Sequence, residues 1–305
     1  MPVSTLPKKV IHYIRKHRMW SAGERITVAV SGGLDSICLL DLLCRTREAH
    51  GAFLQVVSLD HGLREGASDE VSFVAERAKS YGVPFHSACL GLEAGPNLQA
   101  RARDERQAAL LSVPCFRIAT AHHLNDQAET ILYRLLRGSG ATGLRGMLPV
   151  SHPWCRPLLF LSRRELLLWA EEQKLEWKED PSNAASLRGR LRSIMPLLDE
   201  LHGDSAHALA RSGRLLARDD EFLQSAADSC WNRLWNEEGL ELRGLLEQPE
   251  PVQVRLLRML LRKEGVPVRS ERLEAYLLWR PRENSRLSLA GGRALGVRNG
   301  YILVE

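Results

Sequence analysis

The hexapeptide Ser31, Gly32, Gly33, Leu34, Asp35, Ser36 lies between one apolar run, ITVAV, and another, ICLLDLL. A strand, a glycine turn and a helix in that order can cradle a phosphate. Gly32 and Gly33 let the backbone come close to an anion. The first turn of the helix offers unpaired N–H groups and the positive end of its dipole. Ser31 and Ser36 add hydroxyl donors, and Leu34 belongs to the same turn. Asp35 would repel a phosphate unless a cation lay between them, which implies Mg²⁺. No lysine follows the glycines, unlike the common loop that grips a nucleoside triphosphate. The bland alternative is an ordinary strand-to-helix turn with a serine cap.

Further groups with chemical potential lie downstream. His122, Asp126, Glu129 and Thr130 are spaced to gather at a strand end and the first turns of the next helix. On residue types alone, His122 reads equally well as a satisfied turn histidine. Asp126 reads equally well as an acid complementing a helix dipole. Arg103 and Arg106 share one helix face. Arg188, Arg190 and Arg192 form a basic cluster after a polar loop: a solvated face, or a contact for ATP phosphates or RNA. His61 follows the strand-like SLD and falls near the same nucleotide.

These residues need elements to position them. Leu6–Met19 has amphipathic helical spacing. ITVAV, Phe53–Asp60, VPFHSACL and FRIATA read as strands. Helical patterns alternate with them at Ser36–Arg47, ASDEVSFVAERAKSYG, NLQARARDERQAALL and Leu124–Arg137. Such alternation predicts an open parallel α/β sheet with right-handed crossovers, whose ligands bind at the carboxyl ends of the strands. After Gly138 the pattern changes. RGSGATGLRGMLP is glycine-rich and expected to be irregular. Helices are predicted around SRRELLLWAEEQ, at the basic segment after KEDPSNAAS, from Asp204 to about Trp235, and at Pro251–Lys263 and Ser270–Arg280. The end, with its RNG turn, predicts a β-hairpin. The expected organisation is 1–218, an α/β nucleotide-binding domain, and 219–305, a mostly helical second domain ending in a β-hairpin. Arg255, Arg258, Arg262 and Arg269 give the second domain its basic character.

The 305 residues fit one large domain or two modest ones, and a net charge of +5 is compatible with a polyanionic partner such as RNA. None of the six cysteines forms a C-x-x-C pair, so paired metal-ligand spacing is absent and buried thiols in a reducing compartment are expected. No secretory signal and no membrane-spanning apolar run are visible, which predicts a cytoplasmic protein. A homodimer is compatible with the sequence.

VAVSGGLDS resembles the PP-loop of the ATP pyrophosphatase superfamily, whose members cleave ATP between the α and β phosphates. The resemblance implies that the loop holds a departing pyrophosphate and therefore needs no γ-phosphate lysine. SLDHGLR, NLQARARDER, AHHLNDQAETILYRLLRGSGATGL, RPLL, EDPSN, and RGRLR followed by MPLL resemble, in order, the motifs of the tRNA(Ile)-lysidine synthetases, from about Thr27 to Leu198. Three positions depart from that pattern: Asn125 where Asp is frequent, Gly189 where Asn is usual, and Gln107 where Tyr is common. The resemblance implies a ligase that adenylates the wobble cytidine of the CAU anticodon of isoleucine tRNA with ATP. The side-chain amine of free L-lysine then attacks the activated base. It further implies Asp35 and Asp126 as an acidic pair holding Mg²⁺ or the lysine amine, with His122 a polar group of the site. Arg103 is assigned to phosphate or the activated base, Ser31 to Ser36 with His61 and Arg188 to ATP, and Arg190 and Arg192 to tRNA. With its basic helices and no phosphate loop, the second domain, 219–305, is expected to recognise tRNA, and 1–218 to bind ATP and carry the catalysis. Rival readings are a PP-loop tRNA thiolase, which usually needs paired cysteines, a small-molecule synthetase, and a non-catalytic tRNA-binding relative.

Overall fold

The structure is a computed structural model of the 305-residue chain. It describes residues 5–60, 67–89, 98–178, 187–266, 279, 281–289 and 292–305, and only the backbone of 60, 67, 68, 89, 98–100, 102, 103, 187 and 188. Two compact units emerge: Met1–Leu132 with Met147–Ala210, and Tyr133–Gly146 with Arg211–Glu305.

The first unit begins with α1 (Leu6–Lys16), β1 (Arg25–Ala29), α2 (Leu34–Arg45), the one-turn α3 (Arg47–His50) and β2 (Phe53–Asp60). It continues through α4 (Ala67–Ser80), β3 (Phe85–Cys89), α5 (Leu98–Leu111), β4 (Arg117–Ala119) and α6 (Leu124–Leu136). After α7 (Ala141–Leu144), a single turn in the glycine-rich segment that belongs to the second unit, the first unit resumes with β5 (Val150–Ser151), β6 (Trp154–Cys155), α8 (Arg163–Glu172) and α9 (Leu187–His202). The sheet order is β3-β2-β1-β4-β6-β5. All its pairings are parallel except that of β5 with β6. This antiparallel edge departs from the all-parallel expectation. Two-residue strands flanking a tight turn carry too little periodicity to be read from sequence.

β1 lies at the centre, with Val28 opposite Val56 of β2 and Ala119 of β4. Ile26, Thr27 and Val28 are fully buried, as expected of a strand covered on both faces. Thr27 is satisfied there by the Gln55 amide, at 2.8 Å. The order of strands reverses between β1 and β4, so the crevice beyond their carboxyl ends is the topological switch point. α2 is apolar nearly all round and buried over most of its length, a pattern proper to a central helix. Its one buried charge, Asp41, accepts from Arg45 Nε (2.7 Å), Tyr81 OH (2.6 Å) and Trp169 Nε1 (2.9 Å). Trp169 is therefore a core residue. Burial pushes the Cys44 and Cys155 thiols up to about 12, and Cys38 upward too, so none supplies a thiolate near neutral pH.

The second unit contains most of α10 (Ser205–Leu234), then β7 (Trp235–Asn236), β8 (Gly239–Glu241), α11 (Leu242–Leu246), α12 (Glu250–Lys263), β9 (Arg286–Ser288), β10 (Ala294–Arg298) and β11 (Tyr301–Val304). The division between units falls within α10, as does Asp219, where the sequence placed its boundary. The expected hairpin is β10–β11, turned by Asn299 (φ 52°) and Gly300 (φ 80°). Both left-handed positions match the Asn-Gly preference of such turns. The hairpin is part of a five-stranded antiparallel sheet, β7-β8-β11-β10-β9, so this unit holds more strand than the helical patterns suggested. Leu256, Leu260, Leu261, Leu295 and Ile302 lie in its own core. The helix expected at Ser270–Arg280 falls outside the described residues apart from Trp279. Among the described residues no helix is long and apolar enough to cross a membrane.

Candidate active site

The exit of β1 becomes a cradle through short local bonds. Ser36 Oγ donates to Gly33 O (2.9 Å) and accepts from Ser31 N (3.2 Å), which closes the turn. Ser31 Oγ lies 3.4 Å from Ser36 Oγ. Gly32 has φ 83°, a left-handed conformation that a side chain would strain. Gly33 is the N-cap of α2 and brings no side chain to satisfy the helix's first N–H groups, which therefore point toward whatever occupies the crevice. The Leu34 side chain is buried in the core. Only its backbone is left for a ligand.

The exit of β4 supplies the opposite wall. Thr120 Oγ1 lies 2.9 Å from His122 Nδ1. The next residue, His123, is only 2 % exposed and sits between two carboxylates: its Nε2 is 3.5 Å from Asp35 Oδ2 and 3.5 Å from Asp126 Oδ2. Asp126 Oδ2 accepts from His123 N (3.0 Å), and His123 Nδ1 accepts from Asp126 N (3.4 Å). With Nδ1 an acceptor, the ring proton is on Nε2, toward the carboxylates. Burial alone would lower the pKa of His123. The hydrogen bond to Asp35 and the charges of Asp126, Asp35 and Glu129 outweigh burial and raise it.

One helical turn after Asp126, Glu129 is buried and accepts from Arg192 Nε at 3.0 Å. Burial lowers the pKa of Arg192, but the Glu129 hydrogen bond and the charges of Glu129, Asp126 and Asp35 raise it overall. The basic helix α9 thus delivers Arg192 to the acidic corner. Arg190, two residues earlier, is exposed. Asn125 serves a different element: its Oδ1 accepts from Arg163 N, at the first turn of α8 (3.0 Å). His61 lies outside the described residues, and only the backbone of Arg103 and Arg188 is described.

Asp35 and Asp126, paired in the sequence analysis, do lie at one corner, and His123, which was not singled out there, lies between them. The HH pair was visible. Which of two adjacent histidines turns inward depends on the path of the chain leaving β4. Lys178, likewise not singled out from the sequence, donates its backbone N–H to Gly32 O at 2.9 Å. Nothing near Lys178 in the sequence signals that contact.

Asp35 Oδ1, Glu129 Oε2 and Thr130 Oγ1 are buried without a hydrogen-bond partner among the described residues. An orphaned carboxylate oxygen beside a phosphate-type loop suits a hard, oxygen-seeking cation such as Mg²⁺. Asp35 and Asp126 are the residues that would hold it. Two open concavities lie elsewhere. One of about 490 Å³ adjoins Arg243 and Tyr301 in the second unit, and one of about 520 Å³ adjoins Arg25, Phe53 and His86 at the amino ends of the parallel strands. Neither contains a residue of this corner. The loop and its paired carboxylates mark the chemistry more specifically than volume does.

A parallel α/β sheet with a glycine-turned anion cradle at its switch point defines a nucleotide-binding domain. Residues 4–198 match the PP-loop domain family, and the chain belongs to that family of ATP-using domains. The tRNA(Ile)-lysidine synthase of Geobacter sulfurreducens is 38% identical over 247 residues, 76% of this chain and 52% of that protein. That of Symbiobacterium thermophilum is 36% identical over 282 residues, 84% of this chain and 58% of the relative. The chain thus spans little more than half the length of these curated relatives. The U34-tRNA thiolase NcsA from Methanococcus maripaludis shares the fold, with a TM-score of 0.57 at 20% identity over 69% of this chain and 79% of that one.

Proposed function

We propose that this chain carries out tRNA(Ile)-lysidine synthesis in the cytoplasm. The observation that carries the reading is the convergence of Asp35 and Asp126, from the ends of two adjacent strands, on one buried histidine beside the SGGLDS loop. The substrate class rests on the named relatives and on the order of motifs along the chain. ATP lies with its β and γ phosphates at Gly32, Gly33 and the start of α2. The C2 oxygen of the wobble cytidine, in the CAU anticodon of isoleucine tRNA, attacks the α-phosphorus, and pyrophosphate leaves. The ε-amine of free lysine then attacks C2 and AMP leaves. A bound Mg²⁺, which Asp35 and Asp126 would hold, would spread the charge that develops on the phosphates.

The protein's own groups position and neutralise. Ser31, Ser36 and the N–H groups of the first turn of α2 hold the pyrophosphate end. Asp35 and Asp126 hold the cation or the incoming ammonium, and His123 fixes the separation of the two carboxylates. Arg192, anchored on Glu129, extends positive charge toward the same corner. His122, Arg103, Arg188 and His61 complete the ATP and base contacts, and Arg190 meets tRNA. A lysine amine is protonated at its reference pKa of about 10.4. Burial beside the activated base favours the neutral form that attacks.

The test is incorporation of labelled lysine into an unmodified isoleucine tRNA bearing the CAU anticodon. Incorporation should require ATP and release AMP and pyrophosphate in step. Failure to form AMP with both lysine and tRNA present rejects the reading.

A further inference from the structure

The loop has no lysine of its own, yet a lysine from far along the chain is fastened to it. Lys178 N donates to Gly32 O at 2.9 Å, which ties Lys178 to the left-handed residue of the cradle. Its stem crosses above that glycine: Cγ lies 4.0 Å from where a Cβ on Gly32 would sit. Beyond Cγ the remaining side chain is long enough to carry the ammonium to either side of the turn. In this structure the ammonium rests over Phe73 of α4, 5.6 Å from the ring centroid. Among the described residues no carboxylate pairs with it. Lys178 is exposed, and a cation over an aromatic face in an exposed setting is weakly held. The ammonium can therefore leave the ring at little cost when an anion arrives.

We propose that Lys178 is the phosphate-binding cation of this cradle, meeting the β and γ phosphates of ATP and then the departing pyrophosphate. The inference rests on the reading of SGGLDS as an ATP site. When the α–β bond breaks, the bridging oxygen keeps the electron pair and pyrophosphate gains charge. The neutral N–H donors of α2 and the hydroxyls of Ser31 and Ser36 answer that charge only in part, and Asp35 in the same turn opposes it wherever no cation covers its carboxylate. A mobile point charge fits this task, because an ammonium binds phosphate without the fixed planar geometry that a guanidinium imposes. Its latch to Gly32 is made by the backbone and survives replacement of the side chain. The turn and the charge can therefore be separated by substitution.

Calorimetric titration of the full chain with ATP, inorganic pyrophosphate and AMP, each with Mg²⁺, tests this in the wild type, Lys178→Ala and Lys178→Arg. Lys178→Ala should weaken ATP and pyrophosphate by about tenfold or more, the scale of a lost charge-assisted contact. AMP affinity and the melting temperature should hold, and Lys178→Arg should recover part of the loss. Unchanged ATP and pyrophosphate affinity in Lys178→Ala overturns the inference and leaves the cradle standing. An equal loss of all three ligands also overturns it, since Lys178 would then support the shape of the site. If the wild type binds neither ATP nor pyrophosphate, the reading of the loop fails and this inference fails with it.

Discussion

Asp126 and Asn125 are neighbours with different duties. Asp126 bonds to His123 and faces Asp35 across the imidazole, whereas Asn125 turns to accept the N–H of Arg163 at the start of α8. On the proposed mechanism, removing the Asp126 charge would leave Asp35 alone to hold the cation while charge develops on the phosphates. Asp126→Asn is expected to lower lysidine formation by at least about a hundredfold, the usual scale for a preorganised electrostatic group, with little change in melting temperature. Asn125→Asp should stay near wild-type activity, because a carboxylate accepts the same N–H and suits a helix N-terminus. Turnover of both variants beside the wild type checks this. The reverse result would move the catalytic acid by one residue.

At the scale of elements, the glycine-rich segment after α6 is held by one buried carboxylate. Asp220 of α10 accepts from Thr142 Oγ1 (2.7 Å), Arg145 Nη1 (2.9 Å) and Arg255 Nη2 of α12 (2.7 Å). A segment that composition marks as irregular is thereby pinned inside the second unit. Burial would raise the pKa of Asp220. The hydrogen bonds from Thr142 and Arg255, with the charges of Arg145 and Arg255, outweigh burial and hold it below the ordinary carboxylate range. A carboxylate with a depressed folded pKa stabilises fully above its unfolded pKa and loses that contribution as pH falls through the folded value. Wild-type stability should therefore decline as pH drops below about 4. Asp220→Ala strands a buried arginine and should cost about 3–5 kcal/mol at neutral pH. Its denaturation midpoint should respond less to acid than that of the wild type. Chemical denaturation of both proteins from neutral to acid pH measures the two effects together.

For the whole molecule, the expected contact of the second unit with tRNA has to be drawn from fewer arginines. Arg255, counted among its basic residues, is buried and engaged by Asp220 and Pro251 O. It belongs to the core and is not available to RNA. Arg258 and Arg262 lie on the same helix, with Arg258 half-buried and Arg262 exposed. Burial and the neighbouring charges of Arg255 and Arg262 lower the Arg258 pKa, a setting that a phosphate would relieve. Arg258→Ala with Arg262→Ala should weaken tRNA binding and reduce the slope of log K against log salt by about one unit per lost contact. Its ATP affinity should be untouched. A slope equal to that of the wild type would remove this helix from the RNA contact.

Much of this was legible in the sequence because it is written locally. The strand–SGGLDS–helix order, the period of β1 to β4 with their helices, the Asn-Gly turn and the placement of Asp35 and Asp126 at strand exits all follow from short-range patterns. A parallel sheet then brings the two exits together, because β1 and β4 are paired neighbours. Other features were decided only by the folded chain. Choosing His123 over His122 required the path of the backbone beyond β4. The burial of Arg255, the capture of Thr142 and Arg145 by Asp220, and the latch of Lys178 on Gly32 join residues far apart in sequence. An isolated arginine or lysine carries no periodicity and no local conformational preference that marks its partner. Only packing, which determines what desolvates each charge and what lies within reach to compensate it, assigns those side chains to core, clamp or site.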